Sequence, residues 1–220
     1  DYYKDIALLA YPVPQGIYPE MEQRARPVVT HSKEIEYSDG FYRARSTTIT
    51  DPKSDGAWIQ YAFEEPYTCR NIEIDKVGNN YQSQNLKVMA SDDGVNFRLV
   101  KRLIPARLGW QDYDFNNTHA IPPTTARYFR FYWNPVGSDP GSEDMNDAKW
   151  KPNLKLGKIG LHTEPRLNQW EGKAGYVWRV APATSPLELS DSDCIRQEDI
   201  IDLTSQMKNG VLTTTLPQGI

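Results

Sequence analysis

The chain has 220 residues and a formal charge of -4, with 29 acidic side chains against 25 Lys and Arg, so it carries no basic surplus of the kind nucleic-acid binding requires. Thirteen Tyr, 16 Pro and 14 Gly fit a loop-rich β protein better than a helical one. No apolar run approaches the ~20 residues of a membrane-spanning helix, which excludes insertion by that route, and the length suffices for one large all-β domain or two smaller ones.

Residues 1–28 hold a short apolar strand, Ile6–Tyr11, then a lead-in broken by Pro12, Pro14, Pro19 and Pro27, where a long helix is excluded. This segment is expected to pack on the domain that follows. Residues 29–165 carry the alternating strands. Side chains of a strand point to opposite faces with a period of two. In Trp58–Phe63, Ile59, Tyr61 and Phe63 share one face and Gln60 takes the other; Trp58 itself is expected in the core. Ile72 and Ile74 alternate with Asn71, Glu73 and Asp75. Leu86, Val88 and Ala90 alternate with Lys87, Met89 and Ser91, followed by an Asp92-Asp93-Gly94 turn and a second arm. Phe129, Phe131 and Trp133 alternate with Arg130 and Tyr132. Such patterning describes an antiparallel sandwich, each sheet having one wet face.

The interval from Asn134 to Leu154 is long, polar and punctuated by Pro and Gly, as functional loops are. Residues 166–220 read as a C-terminal extension. It opens with a short helix over Arg166–Gly175, and a hairpin follows in which Asp199–Thr204 and Val211–Leu216 flank an Asn209-Gly210 turn. A final strand and turn with nothing after them reads as the start of an adjoining β region in a longer protein. Cys69, beside a strand, is expected as a small buried residue, and its pairing with the distant Cys194 is not.

Three separated segments carry a family resemblance. Trp58–Tyr67, Ala90–Phe97 and Ala126–Phe131 resemble, in that order, the discoidin or factor V/VIII type C pattern that family 32 carbohydrate-binding modules share. The resemblance covers roughly residues 45–165 and implies a galactose-binding-domain-like jelly roll. The flanks are similar to something narrower. Asp1–Pro12, Leu167–Gly175 and Ile201–Met207 resemble segments of large bacterial glycoside hydrolases of the family 106 α-L-rhamnosidase type. In those proteins such a β domain accompanies a separate catalytic barrel. The implied function is a non-catalytic accessory module whose partners are a carbohydrate and the catalytic domain of the same polypeptide. The implied location is periplasmic or extracellular.

The residues themselves support no catalytic centre. Glycoside hydrolysis uses two carboxylates roughly 5–9.5 Å apart. Asp92 and Asp93 sit in a turn, where side chain to backbone hydrogen bonds are their expected role. Asp139, Glu143, Asp144 and Asp147 read as a solvated loop or part of a cation site. His31, His119 and His162 match no metal spacing and are expected to be structural. Two binding expectations remain. The resemblance implies a structural calcium near Thr48–Gly56, where Asp51 and Asp55 offer oxygen ligands and Glu164 would close the site; because Pro52 and Lys53 interrupt the family's run, a plain turn is the competing reading. The implied sugar site lies on loops at one end of the sandwich. There Tyr81 or Trp110 would stack on a sugar, and Asn79, Asn80, Arg107 and Trp150 would complete the set. The alternative is that Trp110 packs under its own loop or on the catalytic domain, the module then bracing that domain without touching sugar.

Overall fold

The alternating segments build the larger part of the structure, a computed structural model that describes residues 7–12, 25–49, 56–77, 83, 85–104, 117–135, 153–174 and 189–214. The chain divides into two units, Tyr18–Glu188 on the one hand and Asp1–Ile17 with Leu189–Ile220 on the other.

The larger unit is an antiparallel β-sandwich. Its strands are β2 (Val28–His31), β3 (Glu36–Ser38), β4 (Phe41–Ala44), β5 (Ala57–Lys76), β6 (Lys87–Ser91), β7 (Arg98–Arg102), β8 (Thr118–Trp133) and β9 (Leu154–His162). Hydrogen bonding runs β3-β4-β9-β5-β8-β6-β7, with β2 also on β5. The two longest strands serve both layers. The first half of β5 pairs with β2 and with the second half of β8, which in turn holds β6. The second half of β5 pairs with the first half of β8 and with β9, which holds β4.

The expected core faces are the observed ones. Ile59, Tyr61, Phe63, Val88, Ala90, Phe129, Phe131 and Trp133 are all buried in one apolar cluster with Ile72, Ile74 and Leu156. Each such large side chain contributes about 1.5–3 kcal/mol relative to leaving it in water. Parity changes along β5, however. Ala57, Ile59, Tyr61, Phe63, Tyr67 and Cys69, all odd, are buried while Glu65 is exposed; beyond Cys69 the buried apolar residues are Ile72 and Ile74, because the β5–β8 register slips between Cys69 and Asn71. On β8 the slipped residues include the exposed Pro122 and Pro123, which donate no ladder hydrogen bond and are tolerated at such an irregularity.

Trp58 departs from its expected core position. It lies on the outer face, half-buried, with the Arg130 guanidinium 4.6 Å from its ring centroid and 3.9 Å from that of Phe97. The same guanidinium donates to Gln60 and, at 2.9 Å, to the Tyr132 hydroxyl. A tryptophan one residue out of phase with the buried positions thus finds a cation–π partner instead of the core.

Asp93 performs the turn role expected of the Asp92-Asp93-Gly94 run. Its Oδ1 accepts the Val95 and Asn96 N–H groups, both at 2.8 Å, and Oδ2 accepts the Asn96 amide. These bonds to Asn96 above all hold its carboxyl well below the usual range. Cys69 is buried and Cys194 exposed, and the two do not pair in a disulfide. The helix α1 is confined to Trp170–Lys173. Ahead of it, Asn168 Oδ1 accepts the Ala120 N–H and Gln169 N–H donates to the Thr118 carbonyl, which satisfies groups at the start of β8 that its pairing with β5 leaves over.

In the smaller unit β1 (Leu9–Ala10) pairs with β10 (Ile201–Asp202). The Asn209-Gly210 turn forms where expected, but its arms are β11 (Met207–Lys208) and β12 (Val211–Leu212). Ile201–Asp202 is therefore not the first arm of that hairpin, since the amino-terminal strand takes its edge.

Candidate functional site

Asn79, Asn80, Tyr81, Arg107, Trp110, Trp150, Asp51 and Asp55 lie outside the described residues, as do Asp139, Glu143, Asp144 and Asp147. The strand ends bordering those segments are described, and several are neighbours. Ala57 pairs with Trp133, Lys87 with Tyr132, and Lys87 with Arg102. Residues 50–55, 78–82, 105–116 and 136–152 thus each have an attachment point at one end of the same sheet.

Glu164, after β9, is described. Its Oε1 accepts the Arg166 Nε–H at 2.6 Å and a second N–H of that guanidinium. Arg166 also lies 3.3 Å from Glu73, whose carboxylate is 3.2 Å from His162 Nε2. The Glu164 carboxylate is therefore already paired with a guanidinium through Oε1. Among the described residues no group of three or more His, Cys, Asp or Glu is placed to hold a metal ion.

A different feature stands out in the geometry, a cleft of about 660 Å³ where β2, the β3–β4 hairpin, β5 and β9 meet. Its construction begins with Asp39-Gly40, a two-residue turn with φ of 55° and 79°. Both angles suit the tight hairpin turn that matches strand twist, and Gly40 adopts its angle without a Cβ penalty. The turn sets Tyr37 opposite Tyr42, ring centroids 4.6 Å apart.

β4 covers β9 only over Leu154–Leu156. From Gly157 onward the outer edge of β9 has no partner strand among the described residues, and tyrosine hydroxyls bond to it instead. Ile159 N–H donates to the Tyr61 hydroxyl at 3.3 Å, and the Tyr67 hydroxyl donates to the Leu161 carbonyl at 2.7 Å. These two rings and Phe63, stacked on Tyr67 at 4.5 Å, are buried lining of the cleft. Burial pushes the Tyr61 phenol up to about 12, with the Ile159 hydrogen bond opposing it and Tyr42 adding to it. Burial, then Tyr37, also raises Tyr42. Both phenols are therefore neutral hydrogen-bonding groups at ordinary pH.

Tyr37 is 55% exposed, and Arg26, Asp75, Lys158 and His162 add polar lining. Asp75 lies so close to β9 that a Cβ at Gly157 would come within 2.7 Å of its Oδ2. The combination of aromatic surface and a few polar groups is that of a binding pocket. Among the described lining residues Asp75 is the one carboxylate, and a facing pair of the kind hydrolysis uses is missing from them. The cleft does not figure among the sequence expectations. Its signal there is Tyr37-Ser-Asp-Gly-Phe-Tyr42, an Asp-Gly turn between aromatic arms.

The sequence profile of glycoside hydrolase family 106, alpha-L-rhamnosidase, matches residues 1–220. No curated protein sequence matches the chain. Among solved structures the chain is similar to the rhamnosidase from Novosphingobium sp. PP1Y at 20% identity and a TM-score of 0.51, covering 97% of this chain and 18% of that one. It is also similar to a pectin binding carbohydrate binding module at 18% identity and a TM-score of 0.40, covering 62% of this chain and 91% of that one. A family 32 module from Clostridium perfringens, in complex with GalNAc-β-1,3-galactose, shows 11% identity and a TM-score of 0.40, covering 64% and 96% respectively.

Proposed function

The chain belongs to the alpha-L-rhamnosidase family, glycoside hydrolase family 106, and from that premise we propose that it is a non-catalytic, carbohydrate-binding accessory module of a larger glycoside hydrolase. The observation that carries this reading is the family match over the whole length of a chain that spans only 18% of a rhamnosidase of similar fold. The described cleft supports it, having aromatic lining and one carboxylate, a composition suited to binding rather than to acid–base hydrolysis.

Within this reading Asn79, Asn80, Tyr81, Arg107, Trp110 and Trp150 are sugar contacts on loops, and Asp51 and Asp55 ligands of a structural calcium, which when bound would fix the loop ahead of β5. The occupied carboxylate of Glu164 makes it the weakest of the three calcium ligands. The module works outside the cytoplasm, in the periplasm or beyond the cell, where polysaccharide is met; among the described residues no helix is long and apolar enough to cross a membrane.

A bracing role is the second reading. It is favoured by the β6–β7 hairpin, which exposes Val95 at 78% and Leu99 at 60%, as a surface that another domain covers would. The test is a pair of assays on the isolated chain. Incubation with p-nitrophenyl α-L-rhamnopyranoside should release no nitrophenol, and sedimentation with insoluble plant polysaccharide should deplete the chain from solution. Turnover would overturn the non-catalytic assignment, and absence of depletion across a polysaccharide panel would favour bracing.

A further inference from the structure

The cleft is lined from the middle of β5, by Tyr61, Phe63 and Tyr67, whereas the loops to which the sequence directs attention attach near Ala57, Lys87, Arg102 and Trp133. Its lining includes none of those four strand ends. We propose that it is a carbohydrate site of its own, taking one pyranose unit of a glycan with a C–H face against Tyr37 and hydroxyls on Asp75 and Lys158. This rests on the glycan-binding reading above and adds a location and a mode of recognition to it.

Three features argue for a sugar over other occupants. The volume of about 660 Å³ lies within the range of small-ligand pockets. Tyr37 presents a ring that is more than half exposed at the cleft while its partner Tyr42 braces it from across the hairpin, so the stacking surface is set before a ligand arrives. The polar lining is mixed in kind. A carboxylate accepts only and an ammonium donates only, and a sugar hydroxyl, which does both, can satisfy each at once. Fixed charge is nearly balanced, Arg26 and Lys158 against Asp75, while His162 is turned to Glu73. A fatty acyl chain would leave Asp75 and Lys158 unmatched. An extended peptide adding to β9 would have to displace the Tyr61 and Tyr67 hydroxyls from Ile159 and Leu161.

The assay is calorimetric titration of the 220-residue chain with methyl α-L-rhamnopyranoside, methyl β-D-galactopyranoside and a mixed oligosaccharide digest of plant pectin. It is repeated on Tyr37→Ala, Asp75→Asn and Trp110→Ala, with circular dichroism establishing that each variant folds. Tyr37→Ala should weaken binding of at least one probe about tenfold, the loss of one aromatic contact. Asp75→Asn should weaken the same probe, and the part of the heat that Tyr37→Ala removes should persist in Trp110→Ala. Binding lost in Trp110→Ala and kept in Tyr37→Ala and Asp75→Asn overturns the cleft assignment and leaves the module reading intact. No saturable heat with any probe sinks both. Self-association by light scattering that Tyr37→Ala abolishes, without a saccharide response, would make the cleft a homotypic contact and also overturn the proposal.

Discussion

Removing the Tyr67 hydroxyl tests how the open edge of β9 is sealed. Tyr67 is 3% exposed and donates to the Leu161 carbonyl at 2.7 Å while its ring stacks on Phe63 at 4.5 Å. Tyr67→Phe keeps the stack and deletes only the donor. Leu161 keeps its place in the ladder with Ile72, but its carbonyl faces the cleft side without its tyrosine. An acceptor deprived of its partner in a partly buried setting such as this costs about 1–3 kcal/mol. For a domain of this size each kcal/mol lowers the thermal midpoint by roughly 2–4 °C, so a fall of about 4–8 °C is expected for the middle of that range.

Tyr61→Phe is the companion. Its hydroxyl accepts from Ile159 N–H at the longer distance of 3.3 Å, so the stability change should be smaller, about 0.5–1.5 kcal/mol. Its signature is local instead, because the Ile159 amide loses its acceptor. Near-ultraviolet circular dichroism reads the midpoints, and amide hydrogen exchange reads Ile159, which should exchange faster in Tyr61→Phe and not locally in Tyr67→Phe. Wild-type midpoints in both variants with an unchanged Ile159 amide would refute the claim that tyrosine hydroxyls close this edge.

Other expectations follow from the same geometry. Gly56 has φ of +76°, and a Cβ there would fall 2.2 Å from the Trp133 carbonyl oxygen, so Gly56→Ala should destabilise by about 2–4 kcal/mol in urea unfolding. Gly40→Ala, with φ of +79° but open space around it, should cost only about 1 kcal/mol; equal losses would show that the close approach at Gly56 is not what matters. The His119 imidazole is fully buried, and desolvation, with Lys101 second, pushes it down to about 3. The unfolded chain then takes up a proton near pH 6.5 that the folded chain refuses until about pH 3, so His119 removes stability as pH falls through that window. His119→Leu should flatten the slope of unfolding midpoint against pH between 7 and 5, and an unchanged slope would refute that assignment.

How much of this was readable in advance depended on whether local pattern or long-range register decided the outcome. Ile59, Tyr61 and Phe63, and likewise Phe129, Phe131 and Trp133, alternate cleanly, and each set occupies one buried face. Asp93 announced its turn because its side chain needs only nearby backbone. Register was not readable. Glu64-Glu65-Pro66 looks like a break between two strands, yet β5 runs through it with a slip against β8 between Ala62 and Tyr67. The choice of Leu9–Ala10 as partner for Ile201–Asp202 depends on residues nearly the whole chain apart, which no local window contains. The cleft was missed for a similar reason. Tyr37, Tyr61, Asp75 and Lys158 come from three strands, with Tyr61 and Asp75 at distant points of β5, and only the crossing of β5 between layers brings them together.

The chain belongs to the alpha-L-rhamnosidase family, and the role proposed for it is to hold glycan rather than cleave it. The most direct measurement is equilibrium binding by the folded 220-residue chain to a panel of monosaccharides and plant-polysaccharide fragments, followed by calorimetry with and without calcium. Saturable heat is expected with at least one saccharide, and no change in that saccharide over hours of incubation. A folded chain that gives no heat with every member of the panel, or one that degrades any of them, would contradict the proposed role.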